Sequence, residues 1–425
     1  MAKAGNSDTE AVPGGLGQES VSREMFRTRV REFLDIHASQ KPEVREGEAT
    51  SQALELHRDI VAAAEYQAAL FDAGLAGLTW PREYGGQGLD DVYQTIFNEE
   101  AARYVTADRD IYVIGLAMCI PTLLAHGTQQ LKQRYVRPAL RGAEVWCQLF
   151  SEPAAGSDLA ALRSSGARDG DEWVLNGQKV WTSGAHYCDF GLALARTDWS
   201  MPKHKGLSMF VVDMHAAGVT VRPLRQMNGD THFNEVFLDE VRVPGDHIVG
   251  EPGEGWKVAL TTLMNERVAI GAGRSAESTS PLSYISMHLE IARRQGRRQD
   301  LVARQELADL VIRHWVLDMM GLRIRGALES GRPPGPEGSV AKLATAMLAR
   351  RSADVACRLA GAGSMAWPSE TQVPEVSQIL LWAARAGIAG GTNEVMRNIL
   401  GERVLGLPKE PALDRNTPFS ELPYS

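Results

Sequence analysis

The spacing of apolar residues changes twice along this chain, and the two changes bound what it can fold into. From about Arg23 to Gly142 the repeat is helical: Phe26, Val30, Phe33 and Leu34 fall on one face of a helix. Leu56 to Leu75 and Leu89 to Tyr104 carry similar stripes, with a loop between them at Trp80-Pro81 and Gly85-Gly86. Near Glu144 the repeat becomes two. Trp173 to Leu175 and Gln178 to Trp181 flank Asn176-Gly177, which predicts a hairpin turn because both turn positions must accept positive φ. Strands are further predicted over Phe190 to Leu194, Leu207 to Val212, Val219 to Val221, Asn234 to Leu238 and Val241 to Val243. From Gly255 helices return, over Trp256 to Gly271, Ser283 to Arg293, Gln305 to Leu328, Ala341 to Leu359 and Val376 to Leu400, with a loop at Arg332 to Pro336.

This order predicts an α+β protein with an N-terminal helical domain, a central small β-barrel or sandwich, and a C-terminal helical bundle. The expected boundaries are a disordered tail over 1–22, a helical domain over 23–142, a β domain over 143–249, a second helical domain over 250–410 and a C-terminal tail over 411–425. The first segment lacks an apolar core and arginine, so it reads as neither a secretory signal nor a transit peptide. The longest apolar run, Ile111 to Ala125, is shorter than the about 20 residues of a membrane span and carries Pro121, so it reads as a buried helix. A net charge of −8 gives no pointer to nucleic acid. Four scattered cysteines without a CxxC pair argue against a disulfide framework or zinc site and fit a reducing, cytoplasmic setting.

Two stretches carry candidate chemistry. Trp146 to Ser151 begins as a buried strand, breaks at Ser151-Glu152-Pro153 and closes on Ala155-Gly156-Ser157-Asp158. Pro153 fixes φ and removes a donor. Gly156 lets main chain approach a ligand without a Cβ in the way, and Ser157 with its neighbouring N–H groups can donate to an anion. The same letters also suit a strand ending in an ordinary turn. The second stretch is Val180-Trp181-Thr182-Ser183-Gly184-Ala185.

With Leu78-Thr79-Trp80-Pro81-Arg82-Glu83-Tyr84-Gly85-Gly86 before them and Gly390-Gly391-Thr392-Asn393-Glu394 plus Arg397 after them, these stretches resemble, in order, four signatures of the acyl-CoA dehydrogenase family of flavoproteins. The resemblance runs from about residue 78 to 406. It implies FAD as cofactor and α,β-desaturation of an acyl-CoA thioester, in which a carboxylate takes the α-proton and the β-hydrogen leaves as hydride to flavin N5.

Many members of the family carry the base as a Glu directly before the Gly-Thr of the last signature. Here Gly390 stands there, preceded by Ala389. A second location in the family lies one helix earlier in a Leu-x-x-Glu-Arg context, as in isovaleryl-CoA dehydrogenase and bacterial members of lipid and steroid degradation. This chain reads Leu263-Met264-Asn265-Glu266-Arg267. On a helix Glu266 shares a face with Ala259, Thr262, Leu263, Ala269, Ile270 and Gly273. An anion is costly in such company, so its pKa is expected to rise toward the range of a working base. The other reading of Glu266 is a structural ion pair with Arg267 or Arg274. By the resemblance Arg267 orients the base helix, and the Gly390 N–H polarises the thioester carbonyl. Ala389 and Gly390 remove bulk from that wall, which predicts a branched or cyclic acyl group.

The resemblance also implies the cofactor contacts. Phe150 and Ser151 take the pyrimidine side, Gly156 and Ser157 the pyrophosphate, Trp181 the ring face and Ser183 the N5 edge. Arg294 matches a residue that reaches a neighbouring subunit's FAD; it is equally readable as a solvated charge among Arg293, Arg297 and Arg298. Gly361, Thr392 and Glu394 complete the cofactor set. Lys203, His204 and Lys205 could meet CoA phosphates or form an exposed loop. Implied partners are the acyl-CoA, an acceptor such as electron-transfer flavoprotein, and further subunits in a homodimer, homotetramer or hetero-oligomer, with neither nucleic acid nor membrane. Two alternatives stay open: a non-catalytic subunit of a hetero-oligomer, and a flavin oxidase or monooxygenase of this fold.

Overall fold

The computed structural model describes residues 22–40, 60–272, 285–330, 337–366, 375–411 and 416–423. The segment over 1–21, Gly273 and Arg274, and the loop Arg332 to Pro336 lie outside them, and the side chains of Ala269 and Ile270 are likewise not described.

The N-terminal third is helical: α1 Arg23–His37, α2 Ile60–Asp72, α3 Asp91–Ala101, α4 Asp110–Ile114, α5 Ile120–His126 and α6 Gln129–Arg141. Two short strands, β1 Ser39–Gln40 and β2 Tyr104–Val105, pair antiparallel. Ser22 caps α1 by accepting from the Met25 N–H at 3.2 Å. The buried Glu100 carboxylate pins α3 to α1 through Arg27 and Arg31. A π-helical turn, Gly115–Cys119, joins α4 to α5 where the sequence reads as one helix. Pro121, which has no N–H to donate to the ladder, stands two residues beyond it.

Eight strands follow in one sheet: β3 Trp146–Leu149, β4 Ser165–Asp169, β5 Glu172–Ser183, β6 Phe190–Arg196, β7 Leu207–Asp213, β8 Val219–Pro223, β9 Phe233–Pro244 and β10 Ile248–Val249. Their order is β10-β7-β6-β4-β5-β9-β8, with β3 beside β6 in parallel. Among the described residues β8 and β10 do not pair with each other, so the sheet is not the closed barrel that was one of the two expectations. Alternation along β6 and β7 divides two cores: Leu192, Leu194, Met209 and Val211 face α5, α6 and the following helix, while Ala193, Ala195, Phe210 and Val212 face the opposite layer.

The expected hairpin at Asn176-Gly177 is absent. That dipeptide lies inside β5, and the tight turn falls at Gly170-Asp171, with Gly170 at φ +60°. The expected break between Leu238 and Val241 is also absent, because β9 runs through it. Both apparent breaks are the two sides of one β-bulge. Register between β5 and β9 slips between Leu175 and Gly177, and the Glu240 N–H donates to Asn176 Oδ1 at 2.8 Å with Glu240 at φ +51°. Gly177 is required there for contact rather than for a turn: a Cβ would sit 2.2 Å from Ser164 Oγ.

The C-terminal part comprises α7 Gly255–Ala272, α8 Ser286–Arg294, α9 Leu301–Glu329, α10 Glu337–Ala360, α11 Glu375–Ala386 and α12 Asn393–Arg403. The single helix expected over Val376 to Leu400 is therefore two. Gly390 at φ +68° and Gly391 at φ +96° lie in the connection between them, and Thr392 caps the second by accepting from the Val395 N–H at 3.2 Å. Residues 416–423 return to the sheet, where the buried Phe419 lies 3.6 Å over the Arg196 guanidinium and the Phe419 N–H donates to the Met201 carbonyl at 3.0 Å.

Candidate functional site

Beyond β3 the chain bends at Phe150, which is buried, and Glu152 and Ala155 close the turn with reciprocal backbone bonds of 3.1 and 3.0 Å. The Glu152 carboxylate beneath it accepts from the Arg163 N–H at 2.7 Å, the Ser164 N–H at 2.9 Å and Lys179 Nζ at 2.8 Å. Lys179 is fully buried and also donates to the carbonyls of Phe150 and Leu194 at 3.1 and 2.7 Å. All three ammonium protons thus have acceptors. Burial pushes the Glu152 pKa up, but Lys179 and the two N–H groups outweigh it and hold the carboxyl below the usual range. The Val180 N–H donates to the Ser151 carbonyl at 2.9 Å, which stitches the turn to β5. Sequence reasoning missed this pair. The available signal was two charged residues inside otherwise apolar or strand-like stretches.

Two residues on, β5 loses register with β9 between Lys179 and Thr182, and Trp181 takes φ +61°. A non-glycine residue in that region costs on the order of 1–3 kcal/mol. Trp181 is also 61% exposed, and its indole meets the ring of Phe233 in a T-shaped contact at 5.9 Å. Strain and exposure at one large apolar side chain are what a stacking ligand would offset. Ser183 follows on the same strand, partly buried. Gly156 and Ser157 are exposed, and a Cβ at Gly156 would meet no protein atom within 4 Å. An open main-chain bend joined by the Ser151–Val180 bond to an uncovered aromatic face fits a flat cofactor bearing phosphates.

The second half of the site is built by α7. Gly255 lets the start of this helix lie on β7: a Cβ there would stand 2.6 Å from Ser208 backbone atoms. Thr262 Oγ1 meets Thr122 Oγ1 at 3.0 Å and Thr261 Oγ1 meets a His126 ring nitrogen at 2.8 Å, fixing α7 against α5. One turn beyond Thr262 stands Glu266, partly buried. Burial raises its pKa, with Arg267 and Lys342 pulling the other way. Burial lowers the pKa of Arg267, and its Nε is buried without a hydrogen-bond partner among the described residues.

Lys342, which sequence reasoning did not single out, is 2% exposed on α10 and donates from Nζ to the Gly391 carbonyl. It therefore ties the Gly390-Gly391-Thr392 turn to the helix pair that carries Glu266. Among the described residues the Gly390 N–H has no backbone acceptor. From the other side, Arg385 at the end of α11 lies 5.9 Å over the ring of Phe233, the residue in T-shaped contact with Trp181. Thr392 and Glu394 stand at the start of α12, beside this turn, with Glu394 exposed and 3.3 Å from Arg397.

Arg294 and Gly361 are elsewhere. Arg294 pairs with Glu290 at 2.8 Å and Glu375 at 3.8 Å. Gly361 follows the far end of α10, at roughly 1.5 Å per residue some 28 Å along that helix from Lys342. Lys203 is held by Asp158 at 2.8 Å, and His204 packs edge-on to Trp256 at 4.9 Å.

Three domain models of one family match this chain: acyl-CoA dehydrogenase N-terminal domain over residues 20–143, middle domain over 147–241 and C-terminal domain over 253–405. The acyl-CoA dehydrogenase IpdE1 of Mycobacterium tuberculosis is 39% identical over 345 residues, 80% of this chain and 86% of that protein. FadE34 of the same organism is also 39% identical, over 81% of this chain and 46% of its own length. Among solved structures, the Tcur3481-Tcur3483 steroid ACAD has a TM-score of 0.74 at 26% identity, covering 92% of this chain and 99% of that one. The ChsE4-ChsE5 complex from Mycobacterium tuberculosis has a TM-score of 0.69 at 29% identity, covering 93% of this chain and all of its matched chain (100%).

Proposed function

This chain belongs to the acyl-CoA dehydrogenase family, whose members are FAD-dependent oxidoreductases, and from that premise we propose that it desaturates an acyl-CoA thioester between Cα and Cβ with Glu266 as the base. FAD supplies the hydride acceptor for the β-hydrogen. Phe150, Ser151, Gly156, Ser157, Trp181 and Ser183 would hold it. Glu266 takes the α-proton. The Gly390 N–H donates to the thioester carbonyl, so that charge developing on that oxygen meets a fixed dipole. Arg267 stands beside the base and opposes the rise in its pKa. The observation that carries this reading is a carboxylate whose pKa burial raises, on a helix packed against α10, whose Lys342 donates to the Gly391 carbonyl.

The substrate we infer is a branched or ring-bearing acyl group. Ala389 and Gly390 leave that wall without side-chain bulk, and one structural relative is a steroid ACAD. We place the protein in the cytoplasm; no helix among the described residues is long and apolar enough to cross a membrane. Electron-transfer flavoprotein is the acceptor in this reading. The domain boundaries at 142/143 and 249/250 belong to the same proposal.

Assembly completes it. Arg294 and Gly361 stand apart from the Glu266 end of the C-terminal bundle, which suits a role at a second subunit's cofactor. Ile312, Trp315, Val316, Met319 and Leu322 form an exposed apolar stripe at helical spacing along α9, as an oligomer interface would. A second reading is favoured by one observation, that the ChsE4-ChsE5 relative is a complex of two proteins. In it this chain needs a different subunit to be active. Anaerobic titration of the purified chain with straight, branched and ring-bearing acyl-CoA thioesters separates the readings. Flavin bleaching by the chain alone supports the first, bleaching only with a second subunit supports the other, and rapid reoxidation in air points to an oxidase.

A further inference from the structure

We propose that Lys342 is a positioning residue that couples the two halves of the reaction centre, holding the Gly390-Gly391-Thr392 turn by its hydrogen bond to the Gly391 carbonyl from a helix packed on the one that carries Glu266. The inference rests on Glu266 being the base.

Four observations carry it. Lys342 is 2% exposed, so its ammonium has lost nearly all its water and its remaining partners decide what it does. Nζ donates to the Gly391 carbonyl. That carbonyl belongs to a turn whose two glycines both sit at positive φ and whose next residue caps α12, so the bond anchors the turn next to the residue that carries the Gly390 N–H. Finally, α10 lies directly on the base helix. Gly338, one turn before Lys342, is so close to α7 that an added Cβ would stand 3.9 Å from Arg267 Cβ. Lys342 thus stands on a helix that is packed on α7 and bonded to the turn.

Among the described residues, charged groups reach the pair from three helices. Glu266 feels Arg267 on its own helix and Lys342 from α10. Lys342 feels Glu266 from α7 and Glu394 from α12. Arg267 in turn feels Arg403 of α12. Burial disfavours the Glu266 anion, and Lys342 opposes that from the side of the oxyanion turn. Removing its charge moves the Glu266 titration upward, and a smaller share of the protein then carries an active base at a given pH.

The test is a set of variants in the FAD-loaded protein, read by the rate of anaerobic flavin reduction against pH. Lys342→Gln keeps an N–H donor on a side chain one bond shorter but carries no charge. It is expected to shift the midpoint of the rate profile upward by about one pH unit, with a rate loss of about tenfold on the acidic limb that recovers as pH rises. Lys342→Arg keeps the charge and is expected to keep the midpoint. Lys342→Met also loses the hydrogen bond and is expected to lower the plateau rate as well. If Lys342→Met fails to fold, the Gln and Arg variants carry the test by themselves. In a Glu266→Gln background Lys342→Gln is expected to cost nothing further, because the group it acts on is gone. An unchanged midpoint in Lys342→Gln, or losses that simply multiply in the double variant, overturns the proposal. Failure of the base reading is distinct: there Glu266→Gln alone leaves the reduction rate unaltered.

Discussion

The Lys179 ammonium stands 2.8 Å from the Glu152 carboxylate, and the turn that carries Phe150 and Ser151 rests on this pair. Lys179 is fully buried and Glu152 is 9% exposed, so neither charge has water to fall back on. Lys179→Met leaves a buried carboxylate without its cation and is expected to cost on the order of 3–5 kcal/mol in denaturant unfolding. Glu152 has its pKa lowered in the folded chain, so the stability it contributes is present above the ordinary carboxylate pKa and is lost as pH falls through the depressed folded value. The deficit of the variant is therefore expected to narrow in acid. A constant deficit from neutral pH to strongly acidic pH would contradict this.

Trp181 is held at φ +61° and is 61% exposed. Trp181→Gly relieves the backbone strain while removing the stacking face. The FAD-free variant is expected to unfold at a temperature no lower than the FAD-free parent. Its FAD affinity is expected to fall by about tenfold, the worth of an aromatic stacking contact of roughly 1.4 kcal/mol. Loss of stability with FAD affinity intact would assign Trp181 a packing role instead.

The helix, strand, helix order was legible because apolar spacing reports which face is buried, and β6 and β7 alternate between two cores as their sequences imply. The bulge was not legible. Asn176-Gly177 and Asp239-Glu240 each read as a break, and only their pairing across two strands shows them to be one irregularity. The strand-to-turn stretch at Phe150 and Glu266 could be found through the family resemblance, because their residues alone also suit an ordinary turn and an ion pair. Lys342 could not, since a lysine in Ser339-Val340-Ala341-Lys342-Leu343 looks like any helix surface until the fold brings Gly391 to it. Nor could the separation of Arg294 from Glu266, which depends on how six helices pack.

Phe419 anchors residues 416–423 on the sheet, with the guanidinium of Arg196 3.6 Å beneath it and that of Arg163 5.0 Å away. The ring is 2% exposed. Phe419→Ala is expected to cost on the order of 3 kcal/mol and to expose the C-terminal segment to limited proteolysis. Unfolding and cleavage rates equal to those of the parent would show that the segment contributes nothing.

Glu266 predicts opposite effects on stability and on rate. Burial raises its pKa in the folded chain, so its contribution to stability is full below the unfolded carboxylate pKa and is lost as pH rises through the folded value. At neutral pH Glu266→Gln is therefore expected to unfold no more easily than the parent. A clear fall in its melting temperature at neutral pH would make Glu266 a structural partner.

The rate of flavin reduction in the same variant tests the central claim most directly. With FAD content matched and a reactive acyl-CoA in excess, stopped-flow mixing of Glu266→Gln without oxygen is predicted to give reduction at least ~10²-fold slower than the parent, the worth of a positioned general base. The parent rate itself is predicted to fall in acid through a midpoint above the ordinary carboxylate value. Reduction of Glu266→Gln at the parent rate would contradict the account.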